Sequence, residues 1–185
     1  LAWDSTSCVV RDGSDFKSVQ EILSSAQEST KYNLKNVKAF YPESFDRVLL
    51  DPPCSSLGLR PKLVVNATTK TELGKHVKYQ QQFVREAVSL VKPGGTMTYS
   101  TCTIHAAENE GIVRFVLTEF PVMQLVNVGI ELGQPGLPGV GLSEKERHFV
   151  RRFDPSDREA DCIGFFVAKF VKRNQSAKRK CDQVA

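Results

Sequence analysis

Three residues of this sequence carry reactive chemistry at suggestive places: Asp51, Cys54 and Cys102. Val48, Leu49 and Leu50 form an unbroken apolar run, which predicts a short strand covered on both faces. Asp51 closes the run, and Pro52 and Pro53 follow at once. Proline lacks an amide N–H and fixes φ, so the chain must leave the sheet there. An acid and a thiol therefore stand just past a strand end, the edge at which open α/β sheets hold ligands. A second stretch repeats the pattern. Lys92-Pro-Gly-Gly95 ends a helix, Thr96 to Ser100 reads as a strand, and Thr101-Cys102-Thr103 follows it. Two thiols and a carboxylate at strand ends suit covalent catalysis. A thiolate attacks, and the acid stabilises charge or moves a proton. The spacing leaves open which cysteine attacks. Free cysteine is more often packing than chemistry. That reading is kept for Cys8 and Cys162, and Cys181 is either packed or exposed.

The elements that must position these residues are partly legible. Leu1-Ala-Trp3, stopping at Asp4-Ser5-Thr6, and Cys8-Val9-Val10, stopping at Asp12-Gly13, read as strand ends. Phe16 to Ala26 has helical spacing, and Gln27 to Lys38 reads as a polar surface insertion. Asp4 and Asp12 suit turn chemistry as well as function. Ser55 to Lys70 is a loop whose Arg60, Lys62 and Lys70 face either phosphates or solvent. Leu73, Val77, Gln80, Val84, Ala87, Val88 and Val91 form the stripe of a helix from Thr71 to Val91, with Tyr79 and Phe83 assigned to the core. After Cys102 a further helix is expected. Glu108 and Glu110 lie in its first turn, where they suit its dipole, and Ile112, Val113, Val116, Leu117 and Phe120 form its buried face. Strand, helix, strand in this order predicts a right-handed parallel crossover. Val122 to Val128 reads as a strand. Gly129 to Gly141 holds five glycines and two prolines and reads as irregular structure. Phe149 to Phe153 and Ile163 to Val171 read as a closing pair of strands. Asn174 to Ala185 is a polar, basic tail, read as disordered.

Bulk properties narrow the class. The 185 residues suit about one domain, and 41% hydrophobic content supports a core. The formal charge of +4 is a mild lean towards polyanions. Five cysteines without a Cys-x-x-Cys pair, and no signal peptide, suggest a reducing intracellular setting. No run of about 18 apolar residues exists, so no membrane span is expected. The three histidines are scattered, so no metal site is expected. Nothing indicates an oligomer.

These residues together resemble the Nop/Sun family of S-adenosylmethionine-dependent RNA cytosine carbon-5 methyltransferases. The resemblance rests on Asp51-Pro-Pro-Cys54-Ser, Tyr79-Gln80, Lys92-Pro-Gly-Gly, Tyr99-Ser-Thr-Cys102-Thr, Glu108-Asn-Glu110 and Ile163-Gly-Phe-Phe-Val-Ala-Lys169. It runs from about Glu43 to Lys172. Pro42 to Arg47, Gln134 to Leu142 and Arg152 to Pro155 look most like the tRNA-directed branch that carries a PUA domain. The resemblance implies an α/β fold, a Rossmann-like methyltransferase, and the C-terminal portion of a mostly parallel seven-stranded sheet. It implies a partial catalytic domain over residues 1–172, with 173–185 as the basic tail. It implies S-adenosylmethionine as cofactor and RNA, in particular tRNA, as partner. The expected compartment is the cytoplasm, or the nucleus if the Lys178-Arg179-Lys180 tail acts as a signal. By resemblance Cys102 is the nucleophile at cytosine carbon 6, and Cys54 assists product release. Asp51 would touch both the base and the cofactor's methyl-donor end. Asp4 best matches the family's cofactor-facing acid, with Asp12 as the fallback. Two departures stand out: Ser56 and Pro52 occupy positions where the family usually has Gly and Ala. The glycine-rich cofactor loop is also missing, so a chain lacking its front half is expected.

Three other readings fit some of the residues. An amino-group methyltransferase would use Asp51-Pro-Pro, but Cys54 occupies its aromatic position and Cys102 has no role. A non-catalytic RNA-binding remnant would keep the motifs without holding the methyl donor. A thiol hydrolase would pair Cys102 with His105, although no oxyanion hole is readable.

Overall fold

The computed structural model describes residues 5–25, 39–60 and 69–174. Asp4, Lys62, the 27–38 insertion and the tail from 175 to 185 lie outside the described residues.

The chain order is α1 (Val19–Ser25), β1 (Phe45–Leu50), α2 (Lys70–Leu90), β2 (Val91–Thr101), α3 (Glu110–Glu119), β3 (Met123–Val126), α4 (Glu144–Arg147), β4 (Arg151–Phe153) and β5 (Phe165–Lys172). α2 starts where Thr69 and Glu72 cap each other's backbone N–H reciprocally. It stops before Lys92, the residue ahead of Pro93, which disfavours helical backbone. β2 follows without a loop, so Lys92-Pro-Gly-Gly95 lies inside the start of the strand.

β1 and β2 pair in parallel, joined by α2, with Val48 opposite Met97 and Leu50 opposite Tyr99. This is the expected parallel strand–helix–strand unit. The sheet runs β1-β2-β5-β3, with β4 also paired to β5. β5 is antiparallel to β2, β3 and β4. The described part is therefore a mixed sheet within an α/β architecture, and the closing strand inserts into its middle. Met97, Tyr99, Phe166 and Phe170 point to one face and pack with Val84 and Val88 of α2 and with Ile112 and Val116 of α3.

The opposite face corrects one expectation. Leu49 is 78% exposed, so β1 is covered on one side only among the described residues. α2 and α3 pack on the other face, and Leu49 lines an open groove with Arg47, Thr98 and Lys169. The start of the chain is less regular than expected. α1 is shorter than the predicted helix, and the predicted strand at Cys8 is one parallel bridge, Val9 to Phe40. The one-turn α4 was not anticipated, although Ser143 and Glu146 form its capping box. Among the described residues no helix is long and apolar enough to cross a membrane.

Candidate active site

Parallel pairing puts the ends of β1 and β2 side by side, so the loops that follow leave the same edge of the sheet. Cys54 Sγ lies 3.4 Å from Cys102 Sγ. Asp51 is exposed at the same edge, and Ser100 Oγ donates to its Oδ1 at 3.2 Å. The three residues singled out from the sequence are thus brought together. Asp4 lies outside the described residues. Asp12 is exposed and accepts the Ser14 N–H at 3.0 Å, which is turn chemistry.

The loop after β1 is held at several points. Gln80 Nε2 donates to the Pro53 carbonyl at 3.2 Å. Glu108 accepts from Ser55 N at 3.0 Å and from Ser55 Oγ at 2.5 Å. Ser55 Oγ and Thr103 Oγ1 are 2.8 Å apart, which links the two cysteine loops directly. Ser56 has a φ of 54°, a left-handed conformation that glycine adopts without steric cost. Ser56 Oγ also accepts a weak hydrogen bond from the Cys102 thiol at 3.6 Å. Further along, Gly58 N donates to the Cys102 carbonyl at 3.0 Å, and Gly164 N donates to the Gly58 carbonyl at 2.7 Å. This backbone contact ties the approach to β5 to both loops.

Burial raises the Cys54 thiol above its ordinary value of 9.0, against a lowering contact from the Ser56 N–H, and the Cys102 thiol raises it further. Cys54 is thereby kept protonated near neutral pH, in the form that can give up a proton. Tyr99 is pushed well above 10.0, first by burial and then by the Glu108 charge, so it stays a donor. Its hydroxyl donates to the Glu108 carbonyl at 2.6 Å.

The sequence reading missed the supporting residues. Glu108 and Glu110 are expected in the first turn of a helix for their charge; Glu110 opens α3, Glu108 lies in the short turn before it, and both are fully buried, as is Asn109. Gln80 was counted in an apolar stripe, and it is buried as a hydrogen-bond donor. A polar residue inside an apolar stripe, and three polar residues directly before one, were the available signals. Arg60 pairs with Asp161 at 2.8 Å. Tyr79 is exposed, whereas Phe83 is in the core. His105 Nδ1 is buried without a hydrogen-bond partner, and no hydrogen bond joins that ring to Cys102 among the described residues. The thiol hydrolase reading loses its base. Among the described residues no group of three or more His, Cys, Asp or Glu side chains is placed to hold a metal.

A family model described as 16S rRNA methyltransferase RsmB/F matches residues 9–171. An Arabidopsis thaliana rRNA (cytosine-C(5))-methyltransferase, NOP2C, is 45% identical over 143 residues, covering 72% of this chain and 24% of the relative. The Mus musculus tRNA (cytosine(72)-C(5))-methyltransferase NSUN6 is 41% identical over 166 residues, covering 78% of this chain and 34% of the relative. The crystal structure of NSun6 from Pyrococcus horikoshii with SFG matches with a TM-score of 0.58 at 33% identity, covering 77% of this chain and 37% of that one. The chain thus spans about a quarter to a third of the length of these two sequence relatives.

Proposed function

The chain belongs to the RsmB/F family of methyltransferases, and on that premise we propose that it carries the reacting edge of an enzyme that methylates carbon 5 of cytosine in RNA, with tRNA as the substrate. S-adenosylmethionine is the proposed cofactor, and when bound it supplies an electrophilic methyl on a positively charged sulfur. Asp51 fits that group, because its exposed carboxylate, anchored by Ser100, offers negative charge at the strand edge. Support comes from the similar proteins, which are named for cytosine-C5 methylation of tRNA or rRNA. The matched structure contains SFG, an analogue of S-adenosylmethionine.

Cytosine carbon 5 is a weak nucleophile. In this reading the Cys102 thiolate adds to carbon 6, forming a carbon–sulfur bond and moving the ring's π electrons towards carbon 5 and the N3 edge. N3 takes a proton from water as that charge builds, and the Asp51 carboxylate steadies the resulting N3–H by accepting its hydrogen bond. Carbon 5, now electron-rich, takes the methyl. Its proton then leaves to a base, the electrons of that carbon–hydrogen bond restore the ring double bond, and the carbon–sulfur bond breaks with its electron pair going to the Cys102 sulfur. Cys54, held as a thiol 3.4 Å away, serves this second half by protonating the departing sulfur. The target base must be unstacked from its neighbours, since carbon 6 is shielded in a helix.

The observation that carries this reading is the meeting of two thiols from separate strand ends beside one carboxylate. The test compares Cys54→Ala with Cys102→Ala, in the longest form of the protein its gene encodes, incubated with S-adenosylmethionine and transfer RNA. Cys54→Ala is expected to accumulate a covalent protein–RNA adduct, and Cys102→Ala to form none. The methyl in the product is expected on carbon 5. The opposite pattern of adducts exchanges the two roles, and a methyl on the exocyclic amine overturns the reaction.

A further inference from the structure

Glu108, Asn109 and Glu110 are three consecutive polar residues, each 0% exposed. Burying such groups is costly unless every partner is supplied. Their partners divide between the two cysteine loops. Glu108 takes the loop of Cys54: its carboxylate accepts from Ser55 N and Ser55 Oγ, and from Gln80 Nε2 at 2.8 Å. Gln80 in turn holds the Pro53 carbonyl, so both neighbours of Cys54 are anchored to one buried cluster. Asn109 takes the loop of Cys102. Its Oδ1 accepts from Thr101 Oγ1 at 2.6 Å, and its Nδ2 donates to the Thr103 carbonyl at 2.9 Å. Both neighbours of Cys102 are thereby fixed by one side chain. Glu110 accepts from Arg152 Nη1 at 3.0 Å, and Arg152 also donates to the Ile104 carbonyl.

We propose that Glu108 and Asn109 are positioning residues with separate charges, Glu108 setting the place of the Cys54 thiol and Asn109 that of the Cys102 thiol. Neither acts on substrate. Each holds the residues on both sides of one sulfur, Glu108 with the help of Gln80. The inference rests on the roles given above to the two cysteines and adds which residue governs which half of the reaction. Loss of Asn109 slows formation of the carbon–sulfur bond. Loss of Glu108 leaves that step nearly intact and slows its breakage. A merely structural pair would depress both halves together.

The test measures adduct formation and adduct lifetime separately, in single-turnover reactions of the longest encoded protein with transfer RNA and S-adenosylmethionine. Asn109→Ala is expected to slow adduct formation by about 100-fold, the scale of a small misplacement of a reacting group. Glu108→Ala is expected to lengthen adduct lifetime by a similar factor, about 100-fold, with formation changed far less. Glu108→Gln restores most of the wild-type lifetime, because its carbonyl still meets Ser55 N–H and Gln80 while its amide donates to Ser55 Oγ. Thermal unfolding is followed in parallel. If Glu108→Ala does not fold, Ser55→Ala carries the test, since it deletes one hydroxyl and should lengthen the lifetime in the same direction, less strongly. Unchanged lifetime in Ser55→Ala and in folded Glu108→Ala overturns the proposal. So does an equal loss of both steps in the Glu108 and Asn109 variants. Cys54→Ala is the control. If it traps adduct while the Glu108 and Ser55 variants do not, the present inference alone fails. If it traps none, the cysteine roles fail, and this inference with them.

Discussion

The sulfur of Cys54 is 3.4 Å from the sulfur of Cys102, although 48 residues separate them in sequence. Such a pair is open to two-electron oxidation, in which two protons and two electrons leave and one sulfur–sulfur bond forms. Treatment of the folded protein with diamide is expected to remove two hydrogens from its mass and to link the peptides containing Cys54 and Cys102. Dithiothreitol should reverse it. Peptide mapping that finds both thiols free after treatment contradicts the geometry.

The raised Cys54 thiol predicts a pH dependence with a definite sign. Burial is the main cause, and the folded value lies above the ordinary 9.0. As pH rises through about 9, the unfolded chain releases its Cys54 proton before the folded chain does. The fold therefore loses stability between the ordinary value and the raised one. In the same window, iodoacetamide is expected to label Cys54 more slowly in the native protein than in urea. Cys102→Ala removes one of the raising contacts, so labelling of Cys54 in that variant should move towards lower pH.

Gly58 and Gly164 meet backbone to backbone. A Cβ added at Gly58 would lie 2.5 Å from the Gly164 carbonyl oxygen. No side chain is there to give way, so one strand of chain must shift. Gly58→Ala is expected to cost about 1–3 kcal/mol, read by urea denaturation. Gly58 N–H also holds the Cys102 carbonyl, so the variant should give less of the diamide cross-link than the wild type.

Arg152 and Glu110 form a largely buried ion pair at 3.0 Å. Arg152→Met leaves the Glu110 carboxyl in the core without its counter-charge, held among the described residues only by the Leu137 N–H, an expected loss of about 3–5 kcal/mol. Arg152→Met combined with Glu110→Gln removes the stranded charge and should recover part of it. Denaturation midpoints of the single and double variants check both statements.

Much of this site was legible in the sequence because its markers are local. Pro52 and Pro53 fix where β1 must end, and Thr101-Cys102 follows a stretch, Thr96 to Ser100, that reads as a strand. Parallel pairing then brings two distant thiols to one edge. What supports the thiols was not legible in the same way. A glutamate such as Glu108 has the same composition whether it faces water or a buried serine, and only the closing of β5 and the 102–105 loop decides between them. Leu49 misled for the opposite reason. An apolar run states that a residue can be buried, while the elements that lie over it are set elsewhere in the chain. Ser56 shows the limit from the other side, since its left-handed backbone is imposed by the tight return of the loop towards Cys102.

β5 lies between β2 and β3, and the chain leading into it touches Gly58, which in turn holds the Cys102 loop. Until residues 164–172 are free to insert, β2 has an unfilled edge and Gly58 lacks its partner. The two sulfurs therefore come into register only once β5 has inserted, so closing the sheet and bringing the thiols together are one event.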